Sequence, residues 1–488
     1  MEDVDIEVDV MIAGAGPVGL MLAAELGRHG VSVVVLERLT EPTTQSRAQG
    51  LHARTIQTLH ARGLLDGFVD ATAATSGRAV PKPHFAGVGG LDFSVLDTGL
   101  PTMLFTPQAE TERILAEEAA KLGVIVRRGH EVTDLSQTED SVTVTCGGYT
   151  LTARFLVGCD GGHSTVRKLA GIDFPGSPPT VSTILGEVRL LDPDAAPAGW
   201  TRTPRGVTVI AKHPTDGHSR VLAIDFVDIH VQPTTPPTLA ELRDRVAHIL
   251  GRPVPIDEAA SMTRYGDSAR IAERYRSGRI LLAGDAAHVH YPIGGQGLNV
   301  GLQDAVNLGW KLAGHIAGRL PEAVLDTYEA ERRPAAEAVL ENTRAQMRLL
   351  HPAPANDALR ELFGQLLCRP EVNRHLVGLI SGCDIRYDLS TKDHLVGRFL
   401  PARKITTDAR TCLAAELLRS GRPLLLQLTA TDALRKLTAG KHLDVVTAVP
   451  SEPWEHTAVL ARPDGYLAWA GKADDPTGLE EALRTWVG

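Results

Sequence analysis

Gly14-Ala15-Gly16-Pro17-Val18-Gly19 stands at the seam between two segments of different period, and it constrains the fold more than any other stretch of the chain. Before it, Asp5 to Ala13 is a β-branched and apolar run; after it, Pro17 to Arg28 carries Leu20, Leu22, Ala23 and Leu26 at helical spacing. Ser32 to Leu36 then supplies a second strand, which ends at Glu37. Right-handed crossover makes those two strands parallel and adjacent. In such a βαβ unit the first glycine permits the turn, the second lets backbone approach a pyrophosphate, and the third lets helix pack on strand. The helix N-terminus offers N–H groups and a positive dipole end to phosphate, and Glu37 is placed to accept from ribose hydroxyls. The pattern predicts a dinucleotide-binding fold and leaves FAD and NAD undistinguished.

A chain of 488 residues, 43% of them hydrophobic, exceeds one ordinary core, so two or three units are expected to fold around each other. From about Ser76 to Phe105 the sequence turns Gly- and Pro-rich, an excursion away from the first sheet. Pro107 to Leu122 reads as a helix, and Val142 to Cys146 with Leu151 to Val157 as a hairpin. Thr183 to Leu190, Gly206 to Lys212 and Arg220 to Val227 read as strands beside a helix from Leu239 to Leu250, a second, sheet-based unit. Arg279 to Ala283 is a buried strand followed by a Gly-rich loop and a helix from about Val300 to Ile316. Helical pattern continues through Glu322 to Leu350, with a break or kink at Pro334, and through Asp357 to Leu379. After Pro401, strands at Leu424 to Leu428, Leu443 to Val449, Ala458 to Ala461 and Tyr466 to Ala470, then a terminal helix, predict a small α/β appendage.

The net charge of -9, with no stripe of Lys and Arg, argues against a nucleic-acid partner. No apolar run reaches the roughly 20 residues of a membrane span. Met1 to Asp9 is acidic where a signal peptide is basic, so a cytoplasmic protein with no membrane partner is expected. Cys146, Cys159, Cys368, Cys383 and Cys412 form no CxxC and have no His at ligand spacing, which predicts neither a disulfide framework nor a metal site.

Two later motifs discriminate between dinucleotides. Gly158-Cys159-Asp160-Gly161-Gly162-His163-Ser164-Thr165-Val166-Arg167 resembles the "DG" segment of single-component (class A) FAD-dependent aromatic hydroxylases. Arg279 to His288, containing Gly284-Asp285, together with Pro292 to Asn299, resembles their "GD" segment. Arg47, Pro107-Gln108 and Tyr328-x-x-Glu331-Arg332-x-Pro334 match in order, so the resemblance covers nearly the whole chain. It is nearest to hydroxylases of fused-ring polyketides such as angucyclines and anthracyclines, and next to rifampicin monooxygenases.

The resemblance implies an α/β fold: a Rossmann-type FAD-binding domain (1–75, 107–181 and 276–345) interleaved with a β-sheet substrate domain (76–106 and 182–275). A helical connection (346–398) then leads to a thioredoxin-like C-terminal domain (399–488) that lacks CxxC. It further implies noncovalent FAD, O2, and hydroxylation of a polycyclic aromatic through a C4a-hydroperoxyflavin. NADPH is expected to bind transiently, because the chain has no second GxGxxG. A monomer or homodimer is expected.

The family's roles carry over to Arg47 at the pyrophosphate and Gln108 at the ribityl chain, and more weakly to Arg38 beside Glu37, Val18 at the helix start, Val132 beside the adenine and Thr165 near the DG segment. Asp160 would bridge flavin and nicotinamide binding while also making an Asx-turn on Gly161. Asp285, a carboxylate at a strand's C-terminal end, suits a polyol such as the ribityl chain. Pro292 and the stretch Gly295-Gln296-Gly297-Leu298-Asn299 open a helix whose N–H groups would face the pyrimidine edge of the isoalloxazine and favour negative charge there. His288 reads as a satisfied buried imidazole. No catalytic residue is named, since the difficult chemistry belongs to the cofactor. Rifamycin-type inactivation, a Baeyer–Villiger insertion, and a noncatalytic FAD protein that shields an intermediate use the same motifs.

Overall fold

Five parallel strands carry the first sheet, and its central strands are apolar because both of their faces are covered. The computed structural model describes residues 8–43, 48–74, 83–212, 217–227, 235–389, 391 and 393–488. In spatial order the parallel strands are Ile280–Leu282, Tyr149–Gly158, Val8–Ala13, Val33–Glu37 and Ile125–Arg128. Val10, Met11, Ile12, Val34 and Val35 are buried almost completely. Helices Pro17–Arg28, Gln108–Lys121 and Gln296–Ile316 close the layers. The last strand of this sheet comes more than a hundred residues after its neighbour in the chain, and the second sheet is inserted between them.

That second sheet is antiparallel, in the order Gly199–Thr203, Gly206–Ala211, Ser219–Asp225, Ser182–Leu190, Ile256–Gly266. Two of its strands, Gly199–Thr203 and Ile256–Gly266, were not foreseen from the sequence; the second, IDEAASMTRYG, has no apolar alternation and buries few of its residues. One face packs Ile184, Val188, Ile210 and Val221 on helix Leu239–Leu250. On the other, Val207 and Ile224 join Phe85, Phe93, Tyr291, Met347 and Leu350.

Two helical expectations are corrected. The helix Asp326–Leu350 contains Pro334 in its interior, so no break occurs there, and Tyr328, Glu331 and Arg332 of the preceding turns are buried. The pattern from Asp357 onward is two helices, Asp357–Leu367 and Pro370–Ser381, the second begun by a proline at its first position. At the C-terminus, strands Asp444–Thr447, Leu424–Gln427, Ala458–Ala461 and Leu467–Gly471 form one sheet; the first two are parallel and the other pairs antiparallel. All five cysteines are free. Among the described residues no helix is long and apolar enough to cross a membrane, and no group of His, Cys, Asp and Glu is arranged to hold a metal.

The C-terminal unit is joined to the nucleotide fold by buried charge. Arg462 donates to both carboxylate oxygens of Glu331 at 2.7 Å and also to Asp464, while Lys311 and Asn307 donate to Glu331 from the helix Gln296–Ile316. A second contact uses Arg62, which donates to both oxygens of Glu25 at 2.7 Å and to the carbonyl of Pro463 at 2.8 Å. Burial pushes the Glu331 carboxyl up, but Arg462 and Lys311 outweigh it and hold the group at about 2. Because this lies below the ordinary 4.5, the pair's stability is present above pH 4.5 and lost as pH falls toward 2. Glu331→Gln leaves two buried cations short of a partner, which typically costs about 3–5 kcal/mol. We expect its thermal unfolding transition to move to lower temperature at pH 7, and the difference from wild type to shrink as the medium is acidified toward pH 2.

Candidate functional site

Register in the parallel sheet brings three distant motifs to one edge. Ala13 is level with Gly158, Gly158 with Leu282, and Ala13 with Leu36, so all four strands end together. Backbone bonds fix the loops that leave them: Gly14 N–H donates to Leu36 O, Cys159 N–H to Ala13 O, and Ala283 N–H to Gly158 O, at 2.7, 2.8 and 3.0 Å. The contacts are close enough to require glycine. Gly14 has φ +103°, and a Cβ on it would lie 2.5 Å from the carbonyl oxygen of Cys159; a Cβ on Gly19 would lie 2.0 Å from that of Gly14. A Cβ on Gly16 would meet nothing within 4 Å. Gly16 caps helix Pro17–Arg28, whose N-terminus has neither a side-chain cap nor an acidic residue in its first turn. This open, positive concavity fits a pyrophosphate.

The other expected residues fall around that edge. Glu37 accepts from the backbone N–H of Ala15 at 2.7 Å and of Leu39 at 2.9 Å, which orients its carboxylate beside the first turn. Arg38 is exposed just beyond it. His130 N–H donates to Glu37 O, which draws the segment leading to buried Val132 alongside. Val18 lies against Gly284 and Gly301, so the first helix touches both the Gly284-Asp285 turn and the long helix. Asp285 is exposed between buried Gly284 and Ala286. Gln108 begins its helix, accepts from Ala48 N–H at 3.3 Å and donates to Glu112 at 2.9 Å. Arg47 lies outside the described residues.

Asp160 is engaged by the fold. It accepts from Ser164 Oγ, Thr165 N–H and Val166 N–H at 2.5, 2.7 and 3.1 Å, and so holds the start of helix Thr165–Leu169. Asn299 is likewise structural: its amide accepts from His52 N–H and donates to the carbonyls of Gly50 and Gly295. That leaves the backbone of Gly295, Gly297 and Leu298, with Pro292 exposed before them, to present the helix start. Gly294 and Gly295 both have positive φ, and Gly295 caps the helix Gln296–Ile316 without a side-chain bond. Two imidazoles flank this N-terminus, His52 beside Gly295 and His290 beside Gly297, and burial pushes each down to about 4. Positive potential there comes from the helix rather than from a protonated side chain. His288 is a buried structural imidazole as expected, 2.7 Å from Asp304, which also binds Arg332 and the N–H of Gly284.

Sequence reasoning found no residue of the second sheet, yet that sheet reaches the same place. Thr183 Oγ1 and Tyr291 Oη are 2.8 Å apart, joining the sheet to the residue before Pro292. A cavity of about 310 Å³ opens there, lined in part by Val181, Phe226, Tyr291 and Met347. Farther along the same sheet face come Leu185, Val209 and Leu222, which join neither of the apolar clusters packed on the two faces. Glu187 and Arg220, paired across strands, close the far end. The alternation Thr183, Leu185, Glu187 was the available signal.

The chain matches two family descriptions, an FAD binding domain over residues 7–343 and an aromatic-ring hydroxylase C-terminal domain over residues 393–488. It is 44% identical to a 12-dehydrotetracycline 5-monooxygenase/anhydrotetracycline 6-monooxygenase of Streptomyces rimosus, covering 98% of this chain and 99% of that protein. It is 43% identical to a rifampicin monooxygenase of Streptomyces venezuelae, covering 98% of each. A solved structure of an anhydrotetracycline hydroxylase from Streptomyces rimosus superposes with a TM-score of 0.92 at 43% identity, covering 99% of each chain. The glycine geometry separates two variants that look alike in sequence. Gly19→Ala forces backbone apart and is expected to lower stability and FAD content together. Gly16→Ala has room, so its circular dichroism and melting should match wild type while FAD titration shows weaker binding.

Proposed function

The chain belongs to the FAD-binding aromatic-ring hydroxylases, flavin-dependent monooxygenases, and from that premise we propose that it hydroxylates a polycyclic, polyketide-type aromatic with NADPH as reductant. The observation that carries the reading is the meeting of the cofactor edge and the apolar sheet face at Tyr291–Thr183. Relatives named for anhydrotetracycline and rifampicin support the substrate class.

Bound FAD supplies the redox chemistry with NADPH and O2. The chain's own residues bind and orient. Gly14, Gly16, Gly19 and the first helix N-terminus hold the pyrophosphate, with Arg47 as a further partner from the family pattern. Glu37 and Arg38 take the adenosine ribose side, Val132 the adenine, and Gln108 and Asp285 the ribityl hydroxyls. Asp160 and Thr165 shape the second loop of the edge. Pro292, Gly295, Gly297, Leu298 and Asn299 form the wall under the ring, with N–H groups of the long helix stabilising negative charge at its pyrimidine edge. NADPH meets this groove transiently. The C-terminal sheet, with strand order second, first, third, fourth and its third strand antiparallel to the rest, supports a thioredoxin-like reading of residues 399–488. The lone, buried Cys412 makes its role packing rather than disulfide exchange.

The deciding assay is NADPH consumption by FAD-loaded protein with and without anhydrotetracycline or a panel of polycyclic phenols, with mass spectrometry of the product. Faster consumption and a product heavier by one oxygen are expected; neither effect with any aromatic refutes the reading. A charge-assisted hydrogen bond is worth about 1.5–3 kcal/mol. Asp285→Ala is therefore expected to weaken FAD binding by roughly one to two orders of magnitude with the fold intact. Unchanged affinity in a folded variant removes Asp285 from the cofactor site.

A further inference from the structure

The sheet face beside the cofactor edge carries a hydroxyl that the fold does not use. Tyr265 and Thr183 are direct partners on adjacent strands, so their side chains share a face. Thr183 is bonded to Tyr291, and the Tyr265 ring lies 5.7 Å from that of Tyr291 in a tilted arrangement. The three residues thus form one polar end wall, immediately before Pro292. Their hydroxyls differ in one respect. Tyr291 Oη is bonded to Thr183, whereas among the described residues Tyr265 Oη has no hydrogen-bond partner. It is also absent from the buried, sealed polar atoms, and the Tyr265 side chain is half-buried, so the hydroxyl faces accessible space.

Burial pushes the Tyr265 phenol up to about 12, with Arg220 drawing it partly back. The group is therefore a neutral donor at any pH at which the protein is folded and active. Between Tyr265 and Arg220 the same face carries Leu185, which is buried, and Leu222, which is partly exposed, an apolar floor whose open part is Leu222. A planar polycycle laid on that floor would bring an oxygen at its edge to Tyr265 while the adjoining ring faces Pro292.

We propose that Tyr265 determines where oxygen enters the substrate, its hydroxyl donating to a phenolate, enolate or carbonyl oxygen of a flat aromatic resting on Leu222. The assignment rests on the hydroxylase reading above. Oxygen-bearing edges register on Tyr265, and the ring carbon presented to the cofactor follows from that anchor. Purely apolar polycycles of the same outline gain no such register.

Tyr265→Phe removes the donor and keeps the ring. With anhydrotetracycline as probe and FAD-loaded protein, the expected result is a KM raised roughly tenfold, about what one hydrogen bond is worth. The fraction of NADPH converted into oxygenated product should fall, with hydrogen peroxide making up the difference, and the product should be a mixture of regioisomers by mass spectrometry and NMR. FAD affinity and circular dichroism report whether the variant is folded. A purely structural role for Tyr265 predicts lower stability with KM, coupling and product position unchanged, and that outcome overturns the proposal. Wild-type protein that neither binds nor oxygenates the probe overturns the substrate class itself, a failure distinct from any behaviour of the variant.

Discussion

Everything at the site depends on how closely two strand ends approach each other. The carbonyl of Cys159 occupies the space where a side chain at position 14 would begin, and the carbonyl of Gly14 occupies the space where one at position 19 would begin. These contacts hold the first turn against the second loop and the first helix against its strand. Once they are made, parallel register carries Ala283 to the same edge, and with it the Gly284-Asp285 turn and the start of the long helix. Three motifs separated by well over a hundred residues each become one groove because the strands that precede them end level.

Charge follows a different logic on the two sides of that groove. Inside, the buried carboxylates Asp304, Glu331 and Glu25 are each compensated: Asp304 by His288 and Arg332, Glu331 by Arg462 and Lys311, Glu25 by Arg62. At the groove itself, the two helix N-termini stand without acidic first-turn residues, and the neighbouring imidazoles of His52 and His290 are neutral. A site whose positive potential comes from backbone dipoles needs no side-chain reorganisation when negative charge develops. Nor does that potential titrate, which sets it apart from a groove lined with histidinium.

The glycine turns of the parallel-sheet edge were legible because their geometry acts through backbone. Gly14 is specified by dihedral angle and clearance and Gly19 by clearance, so a linear pattern is enough to find them. Asp160 and Asn299 show the limit of that legibility. Their positions were foreseen, yet hydrogen bonds to Thr165 N–H, Val166 N–H and the backbone of Gly50 and His52 are not readable from a motif, and these make both side chains supports for the groove. Pro334 illustrates the reverse case, in which a strong local signal yields to tertiary packing.

The second sheet was legible only in part, three of its strands and its helix being foreseen and two strands missed, for a physical reason. A strand that buries few of its residues loses the alternation by which strands are detected. Ile256–Gly266 is the extreme instance: it pairs along the whole of Ser182–Leu190 and carries Tyr265, but its sequence reads as a polar loop. The side chains of that face are grouped by cross-strand pairing, such as Thr183 with Tyr265 and Glu187 with Arg220, which lie far apart in the chain. Such pairs change with single substitutions that leave the glycine turns untouched. On the function proposed above, substitutions on this face would alter the aromatic accepted while leaving the cofactor edge in place.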